Sequence, residues 1–138
     1  MIQGTDEWKL ARAGKVTASR IADALSFVKG AEGASRVNYR LELVTERLTG
    51  QHVESFTNSY MEWATQQEPF AREAYEKAKQ EFVIETGFID HPSIKMSGAS
   101  PDGLVGEEGA IEIKCPSSCT AISYISEGKV PSKYKKQM

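Results

Sequence analysis

The spacing of apolar residues changes once along the chain, near Gln80, and that change bounds the fold. Before it they recur every three or four residues. Val37, Leu41, Val44 and Leu48 fall at i, i+4, i+7 and i+11, one face of a helix that Gly50 is placed to end. Earlier, Trp8, Leu10 and Ala11 form a short amphipathic turn stopped by Gly14, and Thr17 is placed to cap a helix carrying Ala18, Ile21, Ala22 and Leu25. Residues 30 to 35 read as a loop. From Thr57 a second long helical region carries Tyr60, Met61, Trp63 and Ala64, then Phe70, Ala71, Ala74, Tyr75 and Ala78. Pro69 separates its halves. Proline removes one helical hydrogen bond and clashes with the preceding turn, so a kink or break is predicted at Glu68.

After Gln80 the pattern is extended. Phe82, Val83 and Ile84, then Phe88 and Ile89, precede a His91-Pro92 turn, and residues 97 to 103 form a turn cluster. Leu104 and Val105 make a short strand, and residues 110 to 115 alternate, with Ile111, Ile113 and Cys115 on one face and Glu112 and Lys114 on the other. A short helix from about Thr120 to Glu127 and the start of another near Lys133 follow. Helices, three strands and a closing helix define an α/β chain.

With 138 residues and 40% hydrophobic composition, one soluble domain spanning 1–138 is expected. Residues 1–80 are its helical portion, residues 81–116 are rich in strands, and residues 117–138 are helical again. No apolar run approaches the roughly 20 residues of a membrane span, and the first residues lack the basic-then-apolar order of a secretion signal. Cys115 and Cys119, four apart, close too small a loop to staple a domain, which points to a reducing compartment. The net charge of -2 hides an asymmetry. Residues 114 to 138 hold five lysines (Lys114, Lys129, Lys133, Lys135, Lys136) and one acid, Glu127, while the rest carries 12 basic against 18 acidic residues. A basic stretch beside an acidic body suits local contact with a polyanion, and equally an ordinary solvated helix.

Asp102 and Glu112 carry the clearest chemistry. If 102–105 pairs with 110–115 as a hairpin, Asp102 comes beside Glu112, with Lys114 on the same face as Glu112 and about 6 to 7 Å along the strand. Paired carboxylates repel, and Mg²⁺, which takes one or two carboxylates with water and phosphate oxygens, relieves the repulsion. Lys114 could then polarise a water for attack on phosphorus and offset transition-state charge. The alternative stands beside it: Ser-Pro-Asp-Gly is also an ordinary turn, and Glu112 and Lys114 an ordinary wet strand face.

Ser-Pro-Asp-Gly (100 to 103) followed by Glu-Ile-Lys-Cys-Pro (112 to 116) resembles the PD-(D/E)XK nuclease signature. Trp8 with residues 10 to 14, Val-Thr-Ala-Ser (16 to 19), and Glu-Pro-Phe-Ala-Arg (68 to 72) narrow this to a resemblance to the phage lambda-type exonuclease family of viral recombinases, in the expected order over nearly the whole chain. The resemblance implies a restriction-endonuclease-like PD-(D/E)XK core, a mixed central sheet flanked by helices. It implies Mg²⁺, with Mn²⁺ as substitute, on Asp102, Glu112, the Ile113 main-chain carbonyl and Glu68. Lys114 becomes the catalytic lysine and Gln137 a residue lining the site. Arg12 and Ser19 match binders of the DNA 5′-phosphate. Met61 falls near the wedge that splits the duplex end, although on pattern alone Met61, Tyr60 and Trp63 read as helix packing.

The implied activity is 5′-to-3′ digestion of double-stranded DNA ends. A ring-shaped trimer, a single-strand annealing partner, and the cytoplasm of a bacterium or phage-infected host go with it. A site- or structure-specific endonuclease and a non-catalytic DNA- or protein-binding remnant are the competing readings. Two departures stand out. Ala64 replaces a frequent glycine four residues before Glu68, and the chain stops at Met138 where the helix of Gln137 should begin, which implies a C-terminally incomplete core. Cys115, Cys119, His52 and His91 match no zinc spacing, two cysteines cannot hold an iron-sulfur cluster, and no phosphate-binding Gly-rich loop supports ATP hydrolysis.

Overall fold

A computed structural model describes residues 1–54 and 56–138. In chain order the elements are α1 (Asp6–Arg12), β1 (Val16–Thr17), a 3-10 turn (Ala18–Arg20), α2 (Ile21–Ala24), β2 (Phe27–Val28), β3 (Ala31–Glu32), α3 (Ala34–Thr49), α4 (Ser59–Lys79), β4 (Val83–Ile84), β5 (Ile89–Asp90), β6 (Ser97–Ala99), β7 (Gly103–Val105), β8 (Gly109–Ile111), α5 (Ser118–Glu127) and a second 3-10 turn (Ser132–Tyr134). They form two compact units, one of Met1–Glu54, Thr86–Ser100 and Lys136–Met138, the other of Ser55–Glu85 and Pro101–Lys135. No described helix is long and apolar enough to cross a membrane.

In the first unit, β6 pairs parallel with β1 and antiparallel with β5. Residues 97–99, expected in a turn cluster, are thus the middle strand of three. β2 and β3 form a hairpin, so β3 lies where a loop was expected. Thr17 makes no side-chain cap. It lies in β1, its N–H donating to the Tyr39 hydroxyl at 3.1 Å.

Helix α3 starts at Ala34, inside the expected loop, and ends where expected, Gly50 closing it with φ 69°. Its apolar stripe is largely uncovered: Leu41 is 60% and Leu48 82% exposed. Tyr39 and Glu46, two turns apart, form the inward face at 3% and 4% exposure. The reason is polar. Tyr39 satisfies the Thr17 N–H, while Glu46 accepts from the N–H groups of Gly14 at 2.7 Å and Val53 at 2.9 Å. Buried donors without partners are costly, so these bonds select the face.

In the second unit, Asn58 caps α4 by accepting from Met61 N–H at 2.9 Å. Of the kink or break predicted at Glu68 the break is absent, since one helix of 21 residues continues through Pro69. Proline lacks only its own N–H, so one bond is lost while the turns on either side keep theirs. At its far end Glu76 accepts from Val83 N–H at 2.7 Å, tying helix to strand. β7 pairs antiparallel with β4 and with β8. Gly103 is required here, because a Cβ would collide with the Val83 side chain. β8 ends at Ile111, so Glu112 to Cys115 continue beyond the ladder.

Candidate active site

The hairpin of β7 and β8 sets the register Gly103↔Ile111 and Leu104↔Ala110. One step further, Asp102 N–H donates to the Ile111 carbonyl at 3.0 Å, and Asp102 Oδ2 accepts from Ile113 N–H at 2.5 Å. The expected juxtaposition of Asp102 with Glu112 follows directly. Lys114 Nζ lies 2.5 Å from Glu112 Oε1, so both side chains share one side of the extended segment.

Glu68, on α4, belongs to the same electrostatic neighbourhood. Burial raises its pKa, and the charges of Asp102 and Glu112 raise it further against the opposing pull of Arg72 and Lys114. Burial likewise raises Asp102. The Ile113 N–H opposes this, Glu112 adds to it, and Lys114 and Arg72 oppose it. Three mutually repelling carboxylates, two of them desolvated, thus share this neighbourhood. Among the described residues no three His, Cys, Asp or Glu side chains are placed to hold a metal ion together.

A groove of about 740 Å³ in this unit is lined by Glu68, Lys114 and Ile113 together with Tyr60, Met61, Lys133 and Tyr134. Met61 and Tyr60 are 45% and 46% exposed. The wedge position implied by the resemblance therefore faces the same groove as Lys114.

In the first unit Arg12 ends α1, stacked over the Trp8 ring at 4.0 Å. Trp8 is held by its Nε1–H donating to Ser100 Oγ at 2.9 Å. Arg12 Nε is buried without a hydrogen-bond partner, and burial lowers the guanidinium pKa against the charges of Tyr39 and Glu46. Ser19 is exposed in the first 3-10 turn, its Oγ 3.2 Å from Thr17 Oγ1. Gln137, half-buried in this unit, follows the second 3-10 turn instead of lying on a helix.

Residues 7–138 match the YqaJ-like viral recombinase domain. The chain belongs to that family. Among solved structures, the alkaline exonuclease LHK-Exo from Laribacter hongkongensis is 50% identical with a TM-score of 0.86, covering 97% of this chain. LHK-Exo in complex with dAMP gives 0.87 at the same identity and coverage. The chain spans 65% of the length of these relatives. No curated protein matches it. The fold of this recombinase-family chain is accordingly the mixed α/β PD-(D/E)XK type.

Sequence reasoning gave no role to Arg72, though it lies one helical turn after Glu68 and its charge bears on both Glu68 and Asp102. Its Nη1 pairs with Glu85. The i, i+4 spacing on α4 is the signal that would have found it. Sequence pattern likewise assigns no site role to Tyr60, Lys133 or Tyr134, the last two inside the basic stretch.

Proposed function

We propose that this chain carries the catalytic core of a Mg²⁺-dependent exonuclease. It digests double-stranded DNA from 5′ ends and leaves 3′ single-stranded tails for phage-type recombination in the cytoplasm. The observation that carries the reading is the grouping of Asp102, Glu112, Glu68 and Lys114 in one unit, with Lys114, Glu68 and Ile113 lining one groove. Membership of the viral recombinase family and likeness to an alkaline exonuclease support it. The dAMP complex of LHK-Exo supports a deoxynucleotide-bearing substrate.

Asp102, Glu112, the Ile113 carbonyl and Glu68 are the groups to hold Mg²⁺, with Mn²⁺ as substitute. The ion supplies Lewis-acid charge at the scissile phosphate. Lys114 orients the attacking water and offsets charge that develops on the phosphoryl oxygens. Asp102 keeps its position because the Ile113 N–H holds one of its oxygens. Gln137 is assigned to the same chemistry. Arg12 and Ser19 receive the terminal 5′-phosphate, for which the unpartnered Arg12 Nε is suited. Met61 enters the end of the duplex. A trimeric ring and a single-strand annealing partner belong to the same reading.

The test is digestion of 5′-phosphorylated linear and of circular duplex DNA, with Mg²⁺ or EDTA, beside a Glu112→Ala variant. Loss of linear DNA only, dependent on Mg²⁺ and on Glu112, is expected. Cutting of circles would identify an endonuclease, and survival of both substrates with Mg²⁺ present would refute the catalytic reading.

A further inference from the structure

The basic stretch at the end of the sequence contributes a charged and aromatic wall to the groove of the second unit. Tyr134 and Lys133 line it, as do Tyr60 and Lys114. Lys133 Nζ lies 4.8 Å above the Tyr134 ring centre and 5.7 Å above that of Tyr124. Lys114 Nζ is 5.2 Å from the Tyr134 centre. Tyr124 meets Tyr134 edge to face with centroids 6.5 Å apart. Tyr60 is positioned by its hydroxyl donating to the Cys115 carbonyl at 3.1 Å and by a tilted contact with Trp63, centroids 5.8 Å apart.

Aromatic rings beside ammonium groups are the chemistry of single-strand recognition. A base stacks on a ring whatever its identity, and the cations follow the phosphates. Inside a duplex both faces of each base are already stacked, so such a wall suits an unpaired nucleotide. From this we infer that Tyr134, with Tyr60 and Lys133, forms a base-stacking subsite for an unpaired nucleotide of DNA, continuous with Lys114. The inference rests on the nuclease reading for its substrate class. Binding depends on the presence of bases more than on their sequence, and Lys133 adds charge that salt screens.

The test uses the 138-residue chain in EDTA with a 3′-fluorescein-labelled oligothymidylate and an abasic strand of equal length, read by fluorescence anisotropy. Wild type binds the thymidylate about tenfold more tightly than the abasic strand. Tyr134→Ala loses that difference, Tyr134→Phe keeps it, and Lys133→Ala weakens both strands alike. Equal affinity of wild type and Tyr134→Ala for the thymidylate overturns the subsite, as does absence of binding by wild type. The base preference is read without metal or cleavage. A chain that binds as described yet digests no DNA retains the subsite and loses the nuclease reading, and a chain that digests DNA without base preference does the reverse. Circular dichroism melting of each variant separates lost binding from lost folding.

Discussion

Ile113 N–H donates to Asp102 Oδ2 across 2.5 Å, so the carboxylate at one end of the hairpin is held by the segment that carries Glu112 and Lys114. The Asp102 carboxylate is thus positioned by the backbone of the segment that carries Glu112. An asparagine at 102 can keep that bond through its amide oxygen while losing the charge. Asp102→Asn is expected to retain the fold and lose about a hundredfold or more in cleavage rate, checked by initial rates beside far-ultraviolet circular dichroism.

Burial and neighbouring carboxylates raise the pKa of Glu68 and Asp102 above their ordinary values of 4.5 and 3.8. A carboxyl group that holds its proton more tightly when folded favours folding below its unfolded value. That contribution is lost as pH rises through the folded value. At pH 8 without metal both charges therefore oppose folding. Glu68→Gln should raise the Tm in EDTA at pH 8 by about 2 to 5 °C, a gain limited by solvent screening, and the gain should vanish near pH 3.5. Melting curves at the two pH values decide it, and a lower Tm for the variant at pH 8 would contradict the reading.

Lys114 contributes charge where the scissile phosphate is proposed to sit. Lys114→Ala should slow cleavage by about a hundredfold or more while weakening DNA binding in Ca²⁺ far less. Comparable losses in both measurements would make Lys114 a binding residue only.

Arg12 presents a buried guanidinium nitrogen with no partner. Digestion of 5′-phosphorylated ends should exceed that of 5′-hydroxyl ends by about tenfold or more, and Arg12→Ala should remove the preference rather than all activity. Competition between the two ends in one reaction measures this directly.

Glu46 is a structural acid. Its truncation to alanine strands the buried N–H of Gly14 and the half-buried N–H of Val53, so Glu46→Ala should cost about 2 to 3 kcal/mol of stability. Urea unfolding should show a lower midpoint with an unchanged slope.

Much of the local structure was legible, and the exceptions share a cause. The change of periodicity at Gln80 located the passage from helix to strand, and the turn between two short apolar runs located the hairpin that joins Asp102 to Glu112. The stripe Leu41, Val44 and Leu48 reported a helix but not its inward side, because two polar residues, Tyr39 and Glu46, decide that through bonds to residues far away in sequence. Ser97–Ala99 looked like a turn because a three-residue strand rich in small side chains has no alternation to read, and its pairing with β1 spans some 80 residues. At Pro69 a break was one of two expectations, because propensity counts the lost bond and not the helix that continues around it. At the site, Asp102, Glu112 and Lys114 were readable from a hairpin, whereas Arg72 and Tyr134 gain meaning only through neighbours on other elements.

The β7–β8 hairpin also bears on how relatives of this chain are to be recognised. Register, through Gly103↔Ile111 and the two bonds of Asp102, sets the acids beside one another, while residues 106 to 108 lie past the last pair as an exposed turn. The interval of ten residues from Asp102 to Glu112 is therefore incidental. A homologue could lengthen that turn by several residues and keep the same chemistry, whereas a one-residue slip of register would separate its acids without altering a letter of either motif. Searches built on the pairing of the two strands will find members that a fixed-interval pattern passes over.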